Sequence, residues 1–253
     1  MSISLSSISR TTRNSLPPRV VIHGAQKIGK STFAAGAFNP IFIPLEDGLS
    51  GIETNSFPLL TSYGQVEEAL RTLYAEPHEF GTVVVDSTDW LEPLIWKHVC
   101  DKNQWASIES PGYGRGYIEA NAIWRQFLDK LNALRMERGM AVILIAHSQV
   151  KRFEAPDSEA FDRYELKMQR GALGLIVEWA DCILFAQEET AIKKEVNGQS
   201  TRARGVSTGR RIMHTNAKPS FIAGNRYNLP DVLPLEWGAL VGAMNPKAPA
   251  QAA

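Results

Sequence analysis

Two rhythms of apolar and polar positions run along this chain. Short unbroken apolar runs predict strands at 19–23 ("RVVIH"), about 40–45 ("PIFIPL"), 82–86 ("TVVVD"), 140–147 ("MAVILIAH") and in "DCILFAQ". Such runs suit strands buried on both faces of a sheet. Between them the spacing turns helical. A helix is expected from about 30 to 38, and "GQVEEALRTLYA" places Val66, Ala69, Leu70 and Leu73 on one face. "TDWLEPLIWKHVCDKN" reads as a helix capped by Thr88 or Asp89, with Pro93 in or near its first turn. Further helices are expected from about 118 to 138, in "MQRGALGLIVEWA" and in "LEWGALVGAM". A Gly/Tyr loop at 109–117 and a polar, charge-mixed loop at 148–166 interrupt the series, and 188–228 reads as β-hairpins.

Strands separated by helices predict an α/β fold: a mostly parallel, twisted sheet with helices on both faces. Ligands bind such sheets at the carboxyl ends of the strands. The organisation expected is a flexible arm over 1–18, ending at Pro17-Pro18, one domain over 19–244, and a disordered tail over 245–253. The arm is rich in Ser and Thr, carries Arg10 and Arg13, and lacks the apolar core of a signal peptide. No run reaches membrane-spanning length, so no membrane partner and a cytoplasmic location are expected. Cys100 and Cys182 are far apart in apolar contexts, which fits a reducing compartment and no disulfide framework.

Charge changes this picture only locally. The 253 residues hold 27 Lys plus Arg against 27 Asp plus Glu. Overall balance is not the signature of a strongly basic nucleic-acid binder. Yet between Lys193 and Lys218 lie Lys193, Lys194, Arg202, Arg204, Arg210, Arg211 and Lys218 against Glu195 alone. That stretch is either a solvated hairpin or a surface for phosphate backbones.

Candidate chemistry sits at the strand ends. Gly24 to Ser31, "GAQKIGKS", is a G-x-x-x-x-G-K-S phosphate loop between a strand and a helix. Gly24, Ala25, Gln26, Lys27, Ile28, Gly29, Lys30, Ser31 and Thr32 would wrap the phosphates of ATP, with loop N–H groups and the helix N-terminus facing the anion. Lys30 would reach the outer phosphates, and Ser31 would ligate Mg²⁺. Asp86, ending "TVVVD", matches the Walker B acid that holds Mg²⁺ opposite Ser31. Glu46, ending "IFIPLE", is placed to orient the attacking water as general base, with Asp47 as the alternate. His147, ending "VILIAH", is placed to sense the γ-phosphate and report its loss to the next loop.

With these motifs in hand, the chain resembles RecA-type P-loop ATPases, and more narrowly the phage-encoded Sak group used in single-strand annealing. The resemblance rests on "GAQKIGKST", "PLEDG", "TVVVDSTDWLEPLIW", "GYGRGY", "ILIAHSQVKRF", "DRYELKMQR", "WADCILFA" and "AGNRYNLPDVLPLEW". It implies a RecA-like P-loop NTPase core with a C-terminal β-hairpin region. Lys30, Glu46 and His147 would be catalytic, with His147 standing where RecA itself has glutamine. The resemblance also implies single-stranded DNA as partner, assembly into a ring or filament, and a bacterial host cytoplasm. DNA contacts would come from two loops, one with Tyr113, Arg115 and Tyr117 and one with Lys151, Arg152, Arg163 and Lys167. Lys218 and Arg226 would be candidates to reach a neighbouring subunit's phosphates. Two other functions use the same loop: a P-loop kinase of a nucleotide or small metabolite, and a nucleotide-switched module docking a protein such as a single-strand-binding protein.

Overall fold

A computed structural model describes residues 16–154, 159–197 and 200–245, with side chains of 191–207 excepted. The expected arm before residue 16, the tail from 246 and the side chains of Lys193, Lys194, Arg202 and Arg204 lie outside the described residues. In chain order the elements are β1 (Arg19–Gly24), α1 (Lys30–Ala35), β2 (Pro40–Pro44), β3 (Asn55–Ser56), α2 (Tyr63–Ala75), β4 (Thr82–Asp86), α3 (Thr88–Asn103) and α4 (Arg115–Glu137). There follow β5 (Ala141–Phe153), β6 (Phe161–Leu166), α5 (Arg170–Trp179), β7 (Cys182–Asn197), β8 (Ser200–His214), β9 (Gly224–Asn225), β10 (Val232–Pro234) and α6 (Trp237–Met244).

One sheet runs β10-β8-β7-β1-β5-β4-β2-β3, with β6 added to β5 and β9 to β7. From β7 to β3 neighbouring strands are parallel, and β8 and β10 extend the sheet antiparallel. The apolar runs are unbroken because both faces are covered. Val21, Ile43, Val83, Val85, Val142 and Leu144 face α2, α3, α4 and α5. Their sequence neighbours Val20, Ile22, Phe42, Val84, Ile143 and Ile145 face α1 and α6. The long helix α4 drives Trp124, Phe127, Leu131 and Leu134 into the first of these layers. Burying side chains of this size stabilises the fold by about 1.5–3 kcal/mol each.

Several expectations shift. The described residues of the 148–166 segment include two paired antiparallel strands: β5 continues past the core and pairs with β6 from Ser148↔Leu166 to Phe153↔Phe161. The 109–117 loop is shorter than expected, because Arg115, Gly116 and Tyr117 already form the first turn of α4. Ser87, not Thr88 or Asp89, is the N-cap residue of α3, which sets Pro93 beyond the first turn. The first helix ends at Ala35, where Gly36 caps it. Among the described residues, no helix is long and apolar enough to cross a membrane.

Candidate nucleotide site

The phosphate loop joins the central strand β1 to α1, at the carboxyl end of the parallel strands. Gly24 closes β1 against β7, where a Cβ would lie 2.4 Å from the Ala186 carbonyl oxygen. Gly29 has φ 107°, a left-handed conformation that glycine adopts without strain, and it is the N-cap residue of α1. Both fixed glycines of the motif thus have a steric cause. Over the loop opens a cavity of about 520 Å³, lined by Gln26, Lys27, Gly29, Lys30, Ser31 and Thr32 from the loop and helix. Glu46, Asp86, His147 and Arg211 complete its polar wall, together with Asp47, Gly48, Ser50 and Ile52. Gly24, Ala25 and Ile28 belong to the loop without lining the cavity. Ile28 is buried in the layer beneath α1.

Lys30 is 5% exposed, and its Nζ donates to the carbonyls of Ala25 (2.8 Å) and Gly24 (3.2 Å). Burial lowers its pKa below the usual 10.5, against the opposing charges of Asp86, Asp89 and Glu46. The ammonium therefore gains from any anion that enters the loop. The Ser31 hydroxyl donates to Asp86 Oδ2 at 2.6 Å. Burial pushes the Asp86 carboxyl above its ordinary value, and Glu46 adds to this; the Ser31 hydrogen bond and the Lys30 charge oppose it. A hydroxyl and a buried carboxylate in contact are hard oxygen donors of the kind Mg²⁺ takes beside phosphate oxygens and water. Among the described residues no set of three or more His, Cys, Asp or Glu side chains is arranged around a metal position. An ion here would thus draw most of its ligands from nucleotide and solvent, the usual habit of Mg²⁺.

His147 and Glu46 face one another across the cavity, His147 Nε2 lying 3.9 Å from Glu46 Oε1. The other ring nitrogen, Nδ1, sits 2.9 Å from Asp89 Oδ2, and the His147 backbone N–H donates to Asp89 Oδ1 at 3.0 Å. Burial would raise the Asp89 carboxyl, but the ring and backbone hydrogen bonds of His147 outweigh it and hold the pKa below the ordinary value. Sequence reading saw Asp89 only as a possible helix cap. Its true partner lies 58 residues away and meets it only because β4 and β5 are neighbours.

Two more residues escaped sequence reading. Arg211 looked like one member of a basic run, yet β8 returns it to the loop, where its Nη1 lies 3.1 Å from an ideal Cβ on Gly29. His23, just before the loop, is fully buried, and burial lowers its pKa to about 4, with the Ile222 carbonyl opposing and the Lys30 charge adding. A neutral ring carries one proton. His23 Nε2 meets the Ile222 carbonyl at 2.8 Å, so it donates there, and Nδ1 accepts from the Ser148 hydroxyl at 2.9 Å. The phosphate loop is thereby tied to the residue after His147. The only signal in sequence was a polar residue at the end of an apolar strand.

The remaining expected residues lie elsewhere. Tyr113 is fully exposed in the turn before α4. Tyr117 packs edge-on against Trp96, and its hydroxyl donates to Glu109. Arg115 is exposed at the start of α4. On the hairpin, buried Glu165 draws in Lys151 (3.3 Å) and Arg163 (3.5 Å), and Arg163 also covers the Phe153 ring at 3.9 Å. Arg152 and Lys167 are exposed. Arg226 braces the amino end of β7, paired with Asp181 at 3.3 Å and donating to the Glu178 carbonyl at 3.0 Å. Lys218 is exposed in a tight turn with Phe221.

The profile of an AAA domain family (AAA_24) matches residues 16–227, more than four fifths of the chain. The chain belongs to this family. As an AAA domain it is a P-loop nucleotide-binding protein, and the cavity described above is where its loop opens. It is also similar to the SPbeta prophage-derived uncharacterized protein YorG of Bacillus subtilis (strain 168), at 23% identity over 135 residues. That match covers 51% of this chain and 40% of the relative, so the chain spans about two fifths of that protein's length. Among solved structures, the crystal structure of the RadB recombinase aligns over 88% of this chain and 90% of its own, with 12% identity and a TM-score of 0.49.

Proposed function

We propose that this AAA domain is a Mg-ATP-dependent, RecA-like ATPase that binds single-stranded DNA and promotes annealing or recombination, in the manner of the phage Sak group. One observation carries the ATPase reading. Lys30, the Ser31–Asp86 pair, Glu46 and His147 come from the segments after β1 and β2, from the end of β4 and from within β5, yet converge on one cavity. Each has a task. Lys30 and the loop N–H groups hold the phosphates, Ser31 and Asp86 hold Mg²⁺, and Glu46 takes a proton from the attacking water. Bound Mg²⁺ would neutralise charge developing on the phosphate oxygens.

The DNA reading is supported by continuity. His147 at the cavity and Arg152 on the exposed hairpin belong to the same strand, β5. A nucleotide-dependent shift at His147 thus has a direct route to a surface carrying Arg152 and Lys167. Tyr113, fully exposed, offers a ring for stacking on bases. Resemblance to the Sak group and likeness to a prophage-derived protein support a phage setting inside a bacterial cytoplasm. In a ring or filament, exposed Lys218 is free to approach a neighbour's phosphates. Arg226 would first have to leave Asp181.

The test is ATP hydrolysis with and without single-stranded DNA, in wild type and in Arg152→Ala/Lys167→Ala. DNA should raise turnover of the wild type, and the double variant should lose that stimulation while keeping the basal rate. Unchanged turnover together with no DNA binding would refute the DNA reading. Phosphate appearing on an added nucleoside monophosphate, with Arg211 required, would point to a kinase instead.

A further inference from the structure

Within the ATPase reading, on which this inference rests, Asp89 has no assigned task. Yet its side chain is only 4% exposed, and both of its oxygens contact His147, with the Ser87 side chain also beside the carboxylate. Oδ1 accepts the His147 backbone N–H, which fixes where the ring begins. Oδ2 faces ring Nδ1 at 2.9 Å, which fixes how the ring turns. A carboxylate can only accept, so Nδ1 must carry the hydrogen. The lone pair of a neutral ring is then left on Nε2, on the side of Glu46 and the cavity.

We propose that Asp89 is a positioning residue that makes His147 the second proton acceptor of the site, behind Glu46. As the water oxygen bonds to the γ-phosphorus, the bond to the bridging oxygen breaks and its electron pair leaves with the nucleoside diphosphate. Glu46 takes the water proton and passes it to His147 Nε2, which restores the Glu46 carboxylate. The imidazolium formed lies between two acids, Asp89 and Glu46, with Lys27, Lys30, Asp47, Asp86 and Arg211 as the other charged groups of the site. A third partner that sets tautomer and orientation of a histidine is the general logic of such arrangements. Here it has a mechanical consequence, because His147 stands at the point where β5 leaves the core for the exposed hairpin.

Two measurements test this. The first is ¹⁵N NMR of histidine-labelled protein. The wild type should show His147 protonated on Nδ1 alone. In Asp89→Asn the amide can donate to Nδ1 while its oxygen keeps the backbone contact, so the proton should move to Nε2. A wild-type ring carrying a proton on Nε2, whether neutral or doubly protonated, overturns the proposal. The second is a double-variant cycle in single-turnover ATP hydrolysis. Asp89→Asn should slow hydrolysis roughly 10- to 100-fold, the usual cost of losing such a supporting partner, with ATP affinity changed little. In a His147→Gln background the same substitution should cost nothing further. An equal loss in both backgrounds would mean that Asp89 acts on folding or binding rather than through His147. If wild type shows the Nδ1 tautomer but hydrolyses no ATP, the ATPase reading and the proton route fall, and the positioning of the ring by Asp89 stands.

Discussion

The two ends of the sheet hold buried charge in opposite ways. At the amino ends of β1 and β7, a single acid, Asp181, is ringed by cations. Arg19 contacts it at 2.8 Å, and Arg135 and Arg226 each at 3.3 Å. Burial would raise the Asp181 carboxyl, but the Arg19 hydrogen bonds and the charges of Arg19 and Arg135 hold it below the ordinary value. At the carboxyl ends the balance is reversed. Asp86, Asp89 and Glu46 gather around one buried cation, Lys30, whose Nζ is parked on loop carbonyls, while Lys27 and Arg211 line the same cavity. The first cluster is complete in itself: Asp181 is paired, and the surplus guanidinium donors reach Asn132 and the Pro17 and Glu178 carbonyls. The second has acids short of cations and a lysine without an anion, and Mg²⁺ with a polyphosphate would supply both. Buried charge that is fully paired serves the fold, and buried charge left incomplete marks the site.

That contrast can be broken most forcefully at Glu46. Glu46→Gln keeps shape and removes the base, so turnover should fall roughly 10²- to 10⁴-fold while thermal stability stays near wild type. Equal loss of turnover and stability would erase the distinction between the two ends. The converse is Asp181→Ala. Removing one partner from a buried ionic cluster costs about 3–5 kcal/mol, so denaturant unfolding should shift by that order while any surviving folded protein still binds ATP. The sign with pH follows from the lowered carboxyl: its stabilisation is present above the unfolded pKa and is lost as pH falls through the folded one.

Another buried acid sharpens the comparison. Glu92 on α3 receives the Gln169 backbone N–H on both oxygens at 3.1 Å, yet burial raises its pKa to about 7, with Asp89 adding. A raised carboxyl works in the opposite sense to Asp181. Its protonated form favours the fold below the unfolded pKa of 4.5, and that contribution is lost as pH rises through about 7. Unfolding free energy measured from pH 5 to 8 should therefore decline in wild type and decline less in Glu92→Gln. The smallest effect belongs to Arg226. Its side chain is 59% exposed, so Arg226→Ala should cost no more than about 1 kcal/mol and leave basal turnover unchanged.

How much of this was legible before the fold is visible in particular residues. The core strands were plain because each is sandwiched between two helical layers and so has no polar side to blur the run. The positions of Lys30, Ser31, Asp86 and Glu46 were readable one at a time, since each ends or follows a strand or opens a helix, and parallel strands bring such ends together; His147 was read as a strand end but lies inside β5, which runs on to Phe153. Asp89 was not, because its pairing depends on which strands are neighbours. Arg211 was hidden because a local charge count cannot show that β8 folds back beside Gly29. The β5–β6 hairpin was missed for another reason. Glu165, Lys151 and Arg163 are mutually paired charges on a strand surface, and in sequence they look like a solvated loop.

The most direct measurement is Mg²⁺-dependent ATP hydrolysis by wild type, Lys30→Ala and Arg226→Ala side by side, each checked for folding. Turnover should disappear in Lys30→Ala, by roughly 100-fold or more, and persist in Arg226→Ala. Turnover that survives Lys30→Ala would contradict the claim that the incomplete charges over the phosphate loop are the working site.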